Sequence, residues 1–222
     1  NGFDLDPKDP DVAAFCDMGW IHVTTDGGAS WVQAYSDTSV YHAPGSDTPK
    51  FQPYASAGLE PTCSYWMTWI DSLTMLASFA DIVAQRSTDG GRTWSFNYTG
   101  LLVKTNNDAG VILKHPSTNM LYAATGEIVG ANGIHTDARA GSIGRVCLSA
   151  DRGLTWQVMH DFGHTVQSIA FDPAHPSRMY ACVLDVPAGA GGIYECNDIA
   201  RGAASQWMRL AAPPRTEGRA KE

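Results

Sequence analysis

Four carboxylates recur at matching places in this sequence: Asp17 in Phe15-Cys16-Asp17-Met18-Gly19, Asp81 in Phe79-Ala80-Asp81-Ile82, Glu127 in Thr125-Gly126-Glu127 and Asp185 in Val183-Leu184-Asp185. Each follows a short apolar run. Carboxylates crowded into a concave site raise one another's pKa, because a second negative charge is costly beside the first. Pairs of this kind serve as acid and as nucleophile or base in glycosidic-bond hydrolysis. An Asp at a strand end also accepts hydrogen bonds from loop N–H groups and nothing more. Which role applies depends on the elements that hold the four residues.

Those elements are marked by an octet of the form Ser/Thr-x-Asp-x-Gly-x-Ser/Thr-Trp. It occurs as Thr24-Thr25-Asp26-Gly27-Gly28-Ala29-Ser30-Trp31, as Ser87-Thr88-Asp89-Gly90-Gly91-Arg92-Thr93-Trp94 and as Ser149-Ala150-Asp151-Arg152-Gly153-Leu154-Thr155-Trp156. Its chemistry is that of a tight hairpin. The Asp carboxylate accepts backbone N–H groups ahead of it, and the Gly two residues on takes the positive φ that closes the turn. The Trp opens the outgoing strand, where its ring packs between layers. A degenerate fourth copy keeps Asp198 and Trp207 at its ends.

A second repeat precedes the octets. Phe3-Asp4-Leu5-Asp6-Pro7-Lys8-Asp9-Pro10 recurs as Ile169-Ala170-Phe171-Asp172-Pro173-Ala174-His175-Pro176, and more loosely as Val111-Ile112-Leu113-Lys114-His115-Pro116. Each is an apolar strand ending in a Pro-bearing turn. The unit is strand, Pro turn, strand, loop, strand, octet, strand, a four-stranded antiparallel meander, which is one blade of a β-propeller. The pattern predicts an all-β chain with blades at 2–35, 64–99, 109–160 and 165–210. Loop insertions are expected at 36–63 and 126–144, and an irregular tail at 211–222.

The octet is identified as the Asp-box, the bacterial neuraminidase repeat, and the chain resembles the propellers of sialidases, oligoxyloglucan-processing glycosidases and sortilin-type receptors. The resemblance implies that the box joins the third and fourth strands of each blade, on the face away from the ligand site. Asp26, Gly28, Trp31, Asp89, Gly91, Trp94, Asp151, Gly153, Trp156, Asp198 and Trp207 are then structural. It also implies a ring of six to eight blades, of which about four are here; a closed four-bladed ring is the alternative. Asp17, Asp81, Glu127 and Asp185 become an arc of candidate catalytic groups on the ligand face.

The function implied is that of part of an exported carbohydrate-active protein, a sialidase-like or xyloglucanase-like glycoside hydrolase, secreted or periplasmic in its full-length form. The alternative is a non-catalytic Asp-box propeller that binds protein, peptide or glycan. Sialidases hold their substrate with three arginines, and Arg86, Arg139, Arg145 and Arg215 show no such pattern. The strand–Asp-Pro-x-x-Pro–strand repeat fits the oligoxyloglucan-processing group better.

Candidate binding residues lie in the loops that share the carboxylates' face: Asp108, His135, Asp137, Arg139, His164 and Arg215. Tyr41, His42, Asp47 and Tyr54 come from the first insertion. Trp20, Trp66 and Trp69 can stack on sugar rings or pack between blades. The net charge of −8 and the lack of a Lys/Arg cluster argue against nucleic-acid partners and leave a glycan or other small polar ligand as the expected one. No apolar run is long enough to span a membrane. Cys16, Cys63, Cys147, Cys182 and Cys196 lack metal-site spacing, so no metal or other cofactor is expected; they read as buried free thiols in strands, with a Cys182–Cys196 pair on neighbouring strands as the alternative.

Overall fold

Each copy of the unit folds as an antiparallel sheet whose strands follow one another in chain order. The computed structural model describes residues 2–6, 8–16, 21–33, 37, 43, 46, 51, 54–55, 64–79, 82–101, 107–128, 140–184 and 191–212; at 2, 16, 21, 33, 54–55, 64, 107–109, 127–128 and 140–142 the description is of the backbone. Blade one is β1 (Gly2–Leu5), β2 (Ala13–Cys16), β3 (Ile21–Thr24) and β4 (Val32–Gln33). The first insertion contributes β5 (Tyr54–Ala55). Blade two is β6 (Ser64–Trp69), β7 (Met75–Phe79) and β8 (Val83–Ser87), followed by β9 (Thr93–Trp94). Blade three is β10 (Asn107–Lys114), β11 (Leu121–Ile128), β12 (Ala140–Ser149) and β13 (Gln157–Asp161). Blade four is β14 (Val166–Phe171), β15 (Met179–Val183), β16 (Gly192–Cys196) and β17 (Met208–Arg209), with a 3-10 helix at Ile199–Ala204 between its last two strands. The chain is an all-β propeller segment of four blades.

The blades are joined by two shared cores. Ile70, Leu76, Ala84 and Tyr98 of blade two pack with Ile112, Leu121, Cys147 and Trp156 of blade three. On its other side blade three gives Tyr122, Ala124, Val146 and Met159 to a core with Val166, Ile169, Met179 and Val183 of blade four. β7, buried on both faces, reads as a continuous run of apolar and small residues for this reason, whereas β8 buries Gln85 and Arg86 as well. Polar ties cross the same seams. Ser78 Oγ donates to the Gly110 carbonyl at 2.5 Å, Lys114 Nζ to that of Ile70 at 2.7 Å, and Thr68 Oγ1 to that of Ile112.

Two expectations need correction, and two readings left open are decided. Blade two is expected to run to residue 99, but its outer strand ends at Trp94, apart from a bridge between Ser95 and Arg86, because the chain then turns inward. Tyr98 is buried there, its phenol oxygen accepting the Ala84 N–H at 3.3 Å, and burial pushes its pKa up to about 12. The insertions are not wholly loop: Tyr54 and Ala55 pair with Trp94 and Thr93, and β11 and β12 extend into residues 126–144 as a lengthened hairpin that pairs Ile128 with Ala140. Finally, Cys182 faces Ile193 while Cys196 faces Met179, so the two thiols are out of register and both are free. Trp66 and Trp69, for which packing between blades was one reading, are exposed on β6.

Candidate functional site

Register sorts the ends of the blades. Leu121 pairs with Lys114 on one side and with Ser149, the first residue of a box, on the other, so the β10–β11 turn and the box share an end. The same holds for Leu5, Ala13 and Thr24, for Trp69, Met75 and Ser87, and for Phe171, Met179 and Cys196. At the opposite end of the blades lie Cys16 with Ile21, Phe79 with Val83, Ile128 with Ala140 and Val183 with Gly192.

At the box end the three regular octets repeat one geometry. The hydroxyls of Thr24, Ser87 and Ser149 donate to Oδ1 of Asp26, Asp89 and Asp151 at 2.7, 2.8 and 2.8 Å. The hydroxyl oxygens of Thr24, Ser87 and Ser149 in turn accept the N–H groups of Gly28, Gly91 and Gly153 at 3.0, 2.9 and 3.0 Å. Each carboxylate then accepts both the N–H and the hydroxyl of Ser30, Thr93 or Thr155. The box glycines stand at φ of 89°, 88° and 81°, and the indole N–H of Trp94 and Trp156 donates to the carbonyls of Gly91 and Gly153 at 3.0 Å. Both oxygens of each carboxylate are thus engaged within the turn, an arrangement that closes a hairpin.

Hydrogen bonding holds these acids ionised. The Ser30 hydroxyl, then its N–H, pulls Asp26 down to about 2. For Asp89 burial acts in the opposite sense, but the Thr93 and Ser87 hydroxyls and the Thr93 N–H still bring it to about 2. Asp151 is lowered likewise, its burial outweighed by Thr155 and Ser149.

The family model of the BNR/Asp-box repeat matches residues 85–96. No curated protein matches the chain in sequence. Among solved structures, the chain is similar to the GH74 xyloglucanase from Xanthomonas campestris at 15% identity and a TM-score of 0.50, covering 95% of this chain and 29% of that one. It is similar also to an ancestral GH74 enzyme at 18% identity and a TM-score of 0.51, covering 82% and 25%. The likeness is one of fold, and the chain spans between a quarter and three tenths of the length of these enzymes.

Blade four departs from the Asp-box. Cys196 stands where the other boxes have Ser or Thr, and the turn is lengthened into the 3-10 helix. Asp198 caps it by accepting the Ala200 N–H at 3.2 Å, and the Ser205 hydroxyl donates to the carbonyls of Gly202 and Asp198 rather than to a carboxylate. Trp207 packs against His160 and Phe162 of blade three.

At the opposite end, Asp17, Asp81 and Asp185 lie outside the described residues, as do His135, Asp137, Arg139 and Arg215. Their chain neighbours are described: Cys16 ends β2, Phe79 ends β7, and Leu184 follows β15. Glu127 is within β11, not beyond its end as expected, and pairs with Asn107; Asp108 pairs with Gly126 one step along, inside β10 rather than in a loop. His164 lies in the link between blades three and four. That link passes so close to blade three that a Cβ on Gly144 would sit 1.8 Å from the His164 carbonyl oxygen.

A pair that sequence reasoning did not join occupies the same end. Arg145 and Asp161 face each other across β12 and β13, with Nε 2.7 Å from the carboxylate, which also accepts the Gly163 N–H at 3.0 Å. Strand register was the signal that could have joined them. No group of three His, Cys, Asp or Glu able to hold a metal occurs among the described residues. No helix among them is long and apolar enough to cross a membrane.

Proposed function

We propose that the chain is part of a carbohydrate-active propeller of the xyloglucanase-like kind, a glycoside hydrolase acting through carboxylates at the blade end opposite the boxes. The observation that carries this reading is the register. In every blade the second strand runs away from the box, and Asp17, Asp81 and Asp185 each follow its last residues in sequence while Glu127 falls near its end. Repeats that share a register bring such residues to one face, where neighbouring carboxylates can divide acid and base work.

A strained residue supports the same end. Val83 is β-branched, fully buried and at φ 66°, two residues after Asp81. Conformations of this kind cost on the order of 1–3 kcal/mol and cluster where function constrains a turn. Export of the full-length protein accompanies this reading, since polymeric glycans are met outside the cell.

The test is Asp81→Asn in the whole chain, with xyloglucan oligosaccharide binding followed by calorimetry and folding by near-ultraviolet circular dichroism. We expect binding to weaken roughly tenfold or more, about 1.4 kcal/mol, with the fold intact. Unchanged binding removes the arc. Binding by the parent without release of reducing ends would instead favour a non-catalytic glycan-binding propeller.

A further inference from the structure

We propose that the cleft between blades three and four at their box ends binds a small anion with an apolar, ring-sized body, an aromatic carboxylate in chemical class. The cleft holds about 690 Å³, within the few hundred to one thousand Å³ typical of small-molecule sites. Its apolar lining comes from Met120, Tyr122, Leu148, Pro176 and Ile199, and Arg201 stands among the lining groups. It exists because of the irregular box: the 3-10 helix that replaces a tight octet in blade four forms one wall, and the β10–β11 and β14–β15 turns form the others.

The walls are fixed to one another. The Ser117 N–H donates to His115 Nδ1 at 3.1 Å, so Nδ1 is the acceptor and Nε2–H donates to the Pro176 carbonyl at 3.2 Å. The imidazole packs edge-on against Phe171. The Ile199 N–H donates to the Ser177 carbonyl at 3.0 Å, tying the helix to the neighbouring turn. A cleft held this way loses little freedom when it is filled.

One charged group and one aromatic wall select the ligand. Tyr122 is 3% exposed and lines the cleft. Arg201 is exposed, and no described residue pairs with its guanidinium, in a chain whose net charge is −8. A cation beside an apolar surface complements a carboxylate attached to a ring. The site lies at the opposite end of the blades from the carboxylates proposed above and stands independently of their role.

Titrating the whole chain with 2-naphthoate and with neutral 2-naphthamide, by calorimetry and saturation-transfer NMR, tests the proposal. We expect one-site binding of 2-naphthoate, with the amide roughly tenfold weaker. Arg201→Gln should erase that difference, and Ala200→Trp, which fills the cleft from an exposed position, should abolish binding of both. Ser177→Phe blocks the same space from the facing wall and serves if the tryptophan variant does not fold. Absence of 2-naphthoate binding to the parent overturns the proposal, as does binding that survives both blocking substitutions in folded protein.

Discussion

A box aspartate accepts hydrogen bonds in its ionised state, so protonating it takes apart the turn it closes. Asp26 and Asp89 are held at about 2, and Asp151 is lowered as well. A carboxyl depressed by folding contributes stability that is complete above its unfolded pKa near 4 and is lost as pH falls through its folded value. Stability should therefore fall steeply between pH 4 and 2. Asp89→Asn keeps one acceptor oxygen but loses the acceptor for the Thr93 hydroxyl, so it should lower the Tm at neutral pH and make this acid limb shallower. The limb will not vanish, since Asp26, Asp71 and Asp151 are depressed too. Thermal melts across that pH range check it; an unaltered slope would mean the carboxyl is not linked to folding. These residues were legible in the sequence because an Asp–Gly turn obeys backbone rules that depend on few neighbours. The opposite carboxylates obey no such rule, and Asp17, Asp81, Glu127 and Asp185 read equally as strand-end acceptors or as catalysts.

Where one element meets the next, the third box shows how a local rule is overridden. The position after the box Asp is Gly27 and Gly90 in the first two, at φ 66° and 75°, but Arg152 in the third, at φ 64°. That left-handed conformation costs a side chain about 1 kcal/mol or more. The arginine head group reaches Asp71 and Thr74 in the β6–β7 turn of blade two, and its carbonyl accepts Arg86 Nε at 3.0 Å. Arg152→Gly should therefore cost little, as relief of strain offsets the lost contacts. Arg152→Ala keeps the strain and loses the contacts, so it should be less stable than the glycine variant by about 1 kcal/mol. Urea denaturation of the two variants side by side measures the difference, and equal midpoints would refute it. The sequence could not reveal this link, since Asp71 and Arg152 are far apart in the chain. Strand positions were legible from apolar runs and turn residues. The inward turn at Tyr98 was hidden because Ser95-Phe96-Asn97-Tyr98 alternates as a strand does, and the hairpin within 126–144 and the 3-10 helix after Asp198 were hidden because glycine-rich and polar stretches carry no alternation to read.

Across the whole molecule, cohesion is unevenly distributed. Blade three shares one buried core with blade two and another with blade four, so it is packed on both faces. Among the described side chains, none of blade one enters either core: Phe3, Leu5 and Val32 are exposed, and of those whose burial is described Ala13 is the one buried apolar side chain. Its internal contacts are modest, chiefly Phe15 stacked on His22 and edge-on to Trp31. Regions with few buried apolar contacts open locally at a free-energy cost well below that of global unfolding. Native-state hydrogen exchange should thus show β2 and β3 exchanging first, while β11 and β12 exchange only on global unfolding. Comparable protection in blades one and three would mean that cohesion runs through contacts other than the two shared cores. The order matters for function, because a carboxylate attached to β2 would then be positioned less firmly than one attached to β11. Of the four candidate acids, Glu127 is the one whose backbone lies within a strand of the doubly packed blade, so on this order its backbone should be among the last to open.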